Sequence, residues 1–141
     1  MKNMEMNAAA RDFLNRAYKV DQRIDSKIEQ VGSLRSLATK ATSVLSDMKV
    51  QTSHDGRRME DLVVKIVDLE REINGDIDEL IDLKREIMDA IKTVDSPDMQ
   101  LLLEKRYLLF LSWEQIAKDM EYSTDHVYRL HRDALKKISI A

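Results

Sequence analysis

Apolar residues recur at helical spacing along nearly the whole chain. From about Ala8 to Met48 they fall at Leu14, Ala17, Ile24, Ile28, Val31, Leu34, Leu37, Ala41, Val44 and Leu45, the three- and four-residue steps of one helix face. One long helix is predicted there, with Gly32-Ser33 as the point that invites a break. Periodicity is lost over Lys49 to Gly56, where Gln51, Thr52, Ser53 and Asp55 collect and the pair Asp55-Gly56 favours a turn, so this segment reads as a connecting loop. Helical steps resume from Arg57 to Val94 through Met59, Leu62, Ile66, Leu69 and Ile73, then Ile77, Leu80, Ile87, Ile91 and Val94. This seam is heptad-like, and its phase slips beside Gly75, where a local change of supercoil is expected. At 1.5 Å per residue each helix would be roughly 55–60 Å long, and similar lengths suit an antiparallel hairpin. Val63, Val67, Ile81 and Met88 widen the stripe beyond a two-helix seam, which points to further packing against the C-terminal helices or a second chain.

The pattern shortens after Thr93. Ser96 is placed as an N-cap with Pro97 in the first helical position, where its missing N–H is not needed, and a helix follows through Leu101, Leu102, Leu103, Tyr107 and Leu108. Ser112 and Gln115 make an S-x-x-Q capping box for a helix starting at Trp113, and Ser123 caps a last helix over Thr124 to about Ile138. Three short helices after two very long ones mark a change of domain. The expected fold is all-α, with a helical hairpin or oligomerisation stalk over residues 1–96 and a helix-turn-helix module over 97–141.

Composition agrees with long helices. Three Gly and one Pro leave few forced stops, and 5% aromatic against 35% charged residues is the balance of exposed helical surface. The absence of cysteine excludes disulfides and thiolate metal sites, and fits a reducing compartment. Neither a signal-like start nor an apolar run near the roughly 18 residues of a membrane span is present, so a soluble, cytoplasmic protein without a membrane partner is expected. The net charge of −3 argues against nucleic acid only until its distribution is considered: Thr124 to Ile138 carries four basic residues (Arg129, Arg132, Lys136, Lys137) against Asp125 and Asp133.

Helix-turn-helix geometry has a spacing requirement that the C-terminal segment meets. Two helices crossing through a three- to four-residue turn need a small residue where the backbones approach, here Ala117, and apolar residues on the inner faces, here Ile116, Met120, Tyr122, Val127 and Leu130. The outer face of the second helix is then free to enter a major groove. At the turn, Glu121 stands where Gly is common, so it must accept a positive φ or the turn must differ.

Over Leu109 to Ile138, densest in SWEQIAKDMEYSTDHVYRLHRDALKKI, the chain resembles the C-terminal promoter-reading region of bacterial sigma factors. Taken whole, with VDLEREINGDIDELIDLKREI at 67–87, then LLLEKRYL and YSTDHVYRLH, it resembles the RinA/ArpU-like late-gene regulators of Gram-positive phages and prophages, and related phage proteins of unknown function. That resemblance implies a double-stranded DNA partner, and it carries groove-facing roles to Thr124, Asp125, His126, Tyr128, Arg129 and Arg132. By chemistry Arg129 can pair bidentately with guanine, Tyr128 can meet a phosphate or thymine methyl, and Asp125 can accept from cytosine. Ser123 opens a helix end whose free N–H groups suit a phosphate, and Lys136 lies near enough the other end to meet the backbone.

Each feature also has a bland account. Charged faces of terminal helices are ordinarily solvated, and Asp125/Arg129 and Asp133/Lys137 are i,i+4 pairs. The independent demand of the apolar spacing favours DNA contact. His126 and His131 lack carboxylates at ligand spacing; His131 is expected on the inner face, and His126 at phosphate or solvent. Trp113 is expected to cover the module's core, with the DNA backbone as its other setting. Asp76, Asp78, Glu79 and Asp82 read as a solvated helix face. With no metal cluster, cofactor loop or nucleophile constellation, an enzyme is not expected. The leading expectation is a sequence-specific transcription regulator, a late-gene activator in a bacterial host cell by resemblance, acting as a homo-oligomer, with host RNA polymerase as a further candidate partner. A small-terminase-like DNA-recognition subunit, or a protein that docks on polymerase or sigma without binding DNA, are the alternatives.

Overall fold

The computed structural model describes residues 2–48 and 53–140, with side chains described over 7–43 and 56–140. The described residues form five helices and no strand: α1 (Lys2–Met48), α2 (Ser53–Ile91), α3 (Pro97–Tyr107), α4 (Trp113–Met120) and α5 (Thr124–Lys137). α1 runs through Gly32-Ser33 without a break, and α2 runs through Gly75. α2 also starts earlier than expected, so Asp55-Gly56 is helical rather than the end of a loop. One helical Gly costs about 1 kcal/mol, which the strongly periodic residues that follow outweigh. Residues 49–52 of the expected loop, and the side chains of Val44 and Leu45, lie outside the described residues.

At its other end α2 stops at Ile91 rather than Val94. The chain tightens there into a turn in which the Thr93 and Val94 N–H groups bond to the carbonyls of Ala90 and Ile91, and the Gln100 side chain donates to the Val94 carbonyl. The three short helices start where their caps require. Ser96, Ser112 and Ser123 each sit in extended backbone, and each hydroxyl accepts the N–H three residues on, from Met99, Gln115 and His126. The expected capping box at Ser112 is only half made, because the Gln115 amide donates instead to the Asp119 carboxylate at 2.8 Å. That charge-assisted bond turns the side chain toward Asp119, away from the Ser112 N–H that its Oε1 would accept in the box.

Packing divides the chain within α1 and α2, into Met1–Val20 with Leu80–Ala141, and Asp21–Glu79. In the second unit the two helices run antiparallel, since partners fall on α2 as they rise on α1: Arg23 with Glu79 and Asp76, Lys27 with Asp76, Arg35 with Glu70. Ile24 and Val31 are buried, whereas the seam residues Leu62, Ile66, Leu69 and Ile73 are half-buried. Ile28 and Leu37, assigned to the seam by spacing, are 52% and 49% exposed, and Ile77 is also exposed. A pair of helices covers only a narrow strip of each partner, so an apolar stripe wider than that strip stays uncovered within one chain. Leu69→Asp is therefore expected to cost about 1–2 kcal/mol rather than the larger penalty of a sealed core. Thermal unfolding followed by circular dichroism checks this, and an unchanged melting curve would mean that the seam bears no load.

The acidic run is not uniformly solvated. Asp76 is gripped by Lys27 at 2.7 Å and by Arg23, and its carboxyl is held below the ordinary carboxylate range, first by the Lys27 hydrogen bond. Glu79 pairs with Arg23 at 2.8 Å, and Asp82 lies 3.8 Å from Arg85. Sequence periodicity places these carboxylates on a face without showing that Lys27 and Arg23 of the other helix meet Asp76 and Glu79.

The first unit is sealed more completely. Ala10, Leu14 and Ala17 of α1 pack with Ile87 and Ile91 of α2, Val94, Met99, Leu103 and Tyr107 of the α3 region, and Ala134 and Leu135 of α5. A second cluster joins Leu102 of α3 to Ile116 and Ala117 of α4 and Val127 of α5. Small Ala residues at Ala10, Ala17, Ala117 and Ala134 lie at these contacts, where a larger side chain would hold the helices apart. Between α3 and α4 the backbone turns through Phe110 at φ 58°, a left-handed conformation unfavourable for an aromatic residue. Its ring is held edge-on by Tyr18 at 5.6 Å and covered by the Lys84 ammonium, while the Leu111 N–H bonds to the Lys105 carbonyl.

Candidate nucleic-acid interface

α4 and α5 are joined by three residues, and the turn is made by Glu121 itself. It adopts φ 60° and ψ 38°, its N–H reaching the Lys118 carbonyl, while the Tyr122 N–H closes onto Ala117. Of the two outcomes open to this position, a positive φ or a different turn, Glu121 takes the positive φ. The αL conformation costs a non-glycine residue about 1–2 kcal/mol, and the apolar contacts on either side oppose that cost. Ile116 and Val127 are fully buried against one another's cluster, with Met120, Tyr122 and Leu130 packed at its margin.

These contacts set the rotation of α5. Val127, His131, Ala134 and Leu135 are buried, so at 100° per residue Asp125, Arg129, Arg132 and Lys136 fall within about 60° of one another on the opposite side. All four are exposed, as are Ser123 and Thr124. Among the described residues neither Asp125/Arg129 nor Asp133/Lys137 closes into an ion pair, leaving Arg129, Arg132 and Lys136 without an internal counter-charge. The Ser123 hydroxyl accepts the His126 N–H at 3.1 Å, a cap that leaves its O–H, like the backbone N–H groups of this helix end, able to donate.

The two flanks of this face are aromatic. Tyr128, 46% exposed, meets Trp113 edge-on at 5.4 Å, and the Arg106 guanidinium lies 4.3 Å above the Trp113 ring. His126 is half-buried against Tyr122, ring centroids 4.4 Å apart, and the Tyr122 hydroxyl donates to Asp98 at 2.6 Å. Trp113 is partly covered, packing on the Leu102–Ile116 cluster and on His131 at 4.7 Å. His131 is on the inner face, as its spacing indicated, and hydrogen-bonds through Nε2 to the Tyr107 hydroxyl. Burial, reinforced by the charges of Arg11 and Arg106, pushes the imidazole down to about 4, and burial pushes the Tyr107 phenol up to about 12. Both are therefore neutral near pH 7.

Two basic residues beside α5 were not among the sequence candidates. Arg106 carried a signal only as part of LLLEKRYL, and Arg11 carried none, because its proximity depends on a contact from the start of the chain to its end. They line one cleft of about 430 Å³ with Asn15, Trp113, Tyr128 and Arg132. Among the described residues no group of three His, Asp or Glu side chains gathers as metal ligands would, and no helix is long and apolar enough to cross a membrane.

No curated protein matches the chain, and no solved structure does. One family pattern does match, over residues 39–139, which takes in the end of α1, all of α2 and the three short helices. By that match the chain belongs to the DUF1492 family of proteins of unknown function.

Proposed function

We propose that this protein is a sequence-specific double-stranded DNA-binding transcription regulator, with α4 and α5 as a helix-turn-helix and α5 as the reading helix. The observation that carries this reading is the outer face of α5 beyond a three-residue turn, where Arg129, Arg132 and Lys136 are aligned and exposed and form no ion pair among the described residues. Such a face fits a major groove, with Arg129 toward a base edge and Lys136 toward the backbone. Asp125 shares this face, Tyr128, Thr124 and His126 flank it, and the Ser123 end presents backbone N–H groups to a phosphate. A role in activating phage late genes rests on the resemblance of YSTDHVYRLH and LLLEKRYL to the late-gene regulators, and host RNA polymerase is a candidate partner by the sigma-like character of the module. Val63, Val67, Ile81 and Met88, all exposed on α2, supply apolar surface for a homo-oligomer that would set half-site spacing.

Reading and positioning separate experimentally. Arg129→Ala should lose about 1–3 kcal/mol on the preferred site and leave binding to random duplex nearly intact. Lys136→Ala should weaken all duplexes alike and lower the slope of log K against log salt by about one. Anisotropy titrations on the protein's own upstream region and on random DNA supply both numbers. Equal losses for the two variants on both DNAs would make the face a basic clamp rather than a reader. Absence of duplex binding by the wild type at low salt would end the DNA reading in favour of polymerase docking.

A further inference from the structure

The cleft beside α5 gathers three guanidinium groups from three helices: Arg11 of α1, Arg106 of α3 and Arg132 of α5. No Asp or Glu is among its lining residues, and none of the three arginines forms an ion pair among the described residues. Like charges gathered without a counter-charge repel, and an anion converts that repulsion into attraction. Arg106 is fixed in place by Trp113 beneath its guanidinium and by donation from Nη1 to the Leu111 carbonyl at 3.0 Å. Arg11 and Arg132 are exposed. Tyr128, Trp113 and Asn15 complete the walls and add hydroxyl, indole and amide groups of the kind that contact phosphate oxygens.

We propose that Arg11, Arg106 and Arg132 grip one phosphodiester of duplex DNA, making the amino-terminal helix part of the binding surface. The proposal rests on the DNA reading of α5, and continuity selects the occupant. Arg132 belongs both to the cleft and to the outer face of α5, and Tyr128 lies on the flank between them, so a strand following that face is carried to the cleft mouth. Bidentate donation by arginine suits a phosphate, whereas a lysine in the same place would act only as a point charge. Arg11 thus lends a sequence-independent contact from the far end of the chain.

The test uses the full-length protein, a random-sequence duplex and a salt titration, with the single tryptophan, Trp113, as reporter of the cleft. Losing one phosphate contact should lower the log–log salt slope by about 0.9, so that Arg11→Gln binds about 15-fold more weakly near 50 mM salt and only about four-fold more weakly near 200 mM. Arg11→Lys should restore the slope, and duplex should shift Trp113 emission less in Arg11→Gln than in the wild type. Arg132→Gln provides a second variant on a different helix, with the same expected loss of slope. If Arg11→Gln keeps the wild-type slope while the wild type binds duplex, the site is overturned and the DNA reading stands. If the wild type binds no duplex and Trp113 emission responds to inorganic phosphate instead, the duplex occupant is overturned together with the DNA reading.

Discussion

Leu14→Asp is expected to unfold the C-terminal helices, although Leu14 lies near the start of the chain. Its side chain is fully buried among Ile87, Ile91, Val94, Met99, Leu103, Tyr107, Ala134 and Leu135. A carboxylate there would sit in an apolar cluster, and a buried charge together with the lost leucine contacts should cost about 4 kcal/mol or more. That is a large part of the 5–15 kcal/mol that ordinarily separates folded from unfolded domains. Because α3 and α5 share this cluster, loss of helix signal should be accompanied by a red shift of Trp113 emission as its packing on the Leu102–Ile116 cluster fails. Leu14→Ala, which removes contacts without adding charge, should cost about 2–5 kcal/mol and leave a folded protein at low temperature. A Leu14→Asp protein with native Trp113 emission and an unchanged melting temperature would show that α1 does not hold the short helices. Such a result would also remove the ground for Arg11 as part of their binding surface.

The second large effect is expected from acid. His131 is neutral and buried, with its folded-state value near 4 against an ordinary 6.5. The unfolded chain therefore takes up a proton at a pH where the folded one refuses it. The sign follows from linkage: stability contributed by neutral burial is complete above about pH 6.5 and is lost progressively as pH falls toward 4. At about 1.4 kcal/mol per decade the total loss comes to about 3 kcal/mol. The Tyr107 hydroxyl, neutral throughout this range, can donate to Nε2 of the neutral ring, and protonation would reverse that hydrogen bond as well as place a charge beside Arg11 and Arg106. Denaturant melts of wild type and His131→Gln between pH 7 and pH 4 isolate the contribution, since other titrations are common to both. The variant should begin less stable and lose less on acidification. Parallel pH profiles for the two proteins would rule out His131 as the source.

What the chain determined by itself is what short-range rules control. Ser96, Ser112 and Ser123 are helix caps because a hydroxyl three residues before an N–H satisfies it wherever the helix goes. The inner stripe of α5, and with it the outward placement of Arg129, Arg132 and Lys136, follows from a 3.6-residue period that needs no partner to be counted. Even the positive φ at Glu121 was posed as one of two outcomes by its position in the turn.

Tertiary structure alone decided what each face meets. Leu14 and Ile28 occupy the same apolar stripe in sequence, yet one is sealed under three further helices and the other is half exposed on a two-helix pair. Periodicity gives the direction of a side chain around its own axis and is silent about the surface opposite. The same limit hid the pairing of Asp76 with Lys27 and the arrival of Arg11 beside Arg106 and Arg132, since each joins positions far apart in the chain. Such contacts depend on where the helices are brought together, which is set by the summed burial of the whole core rather than by any local pattern.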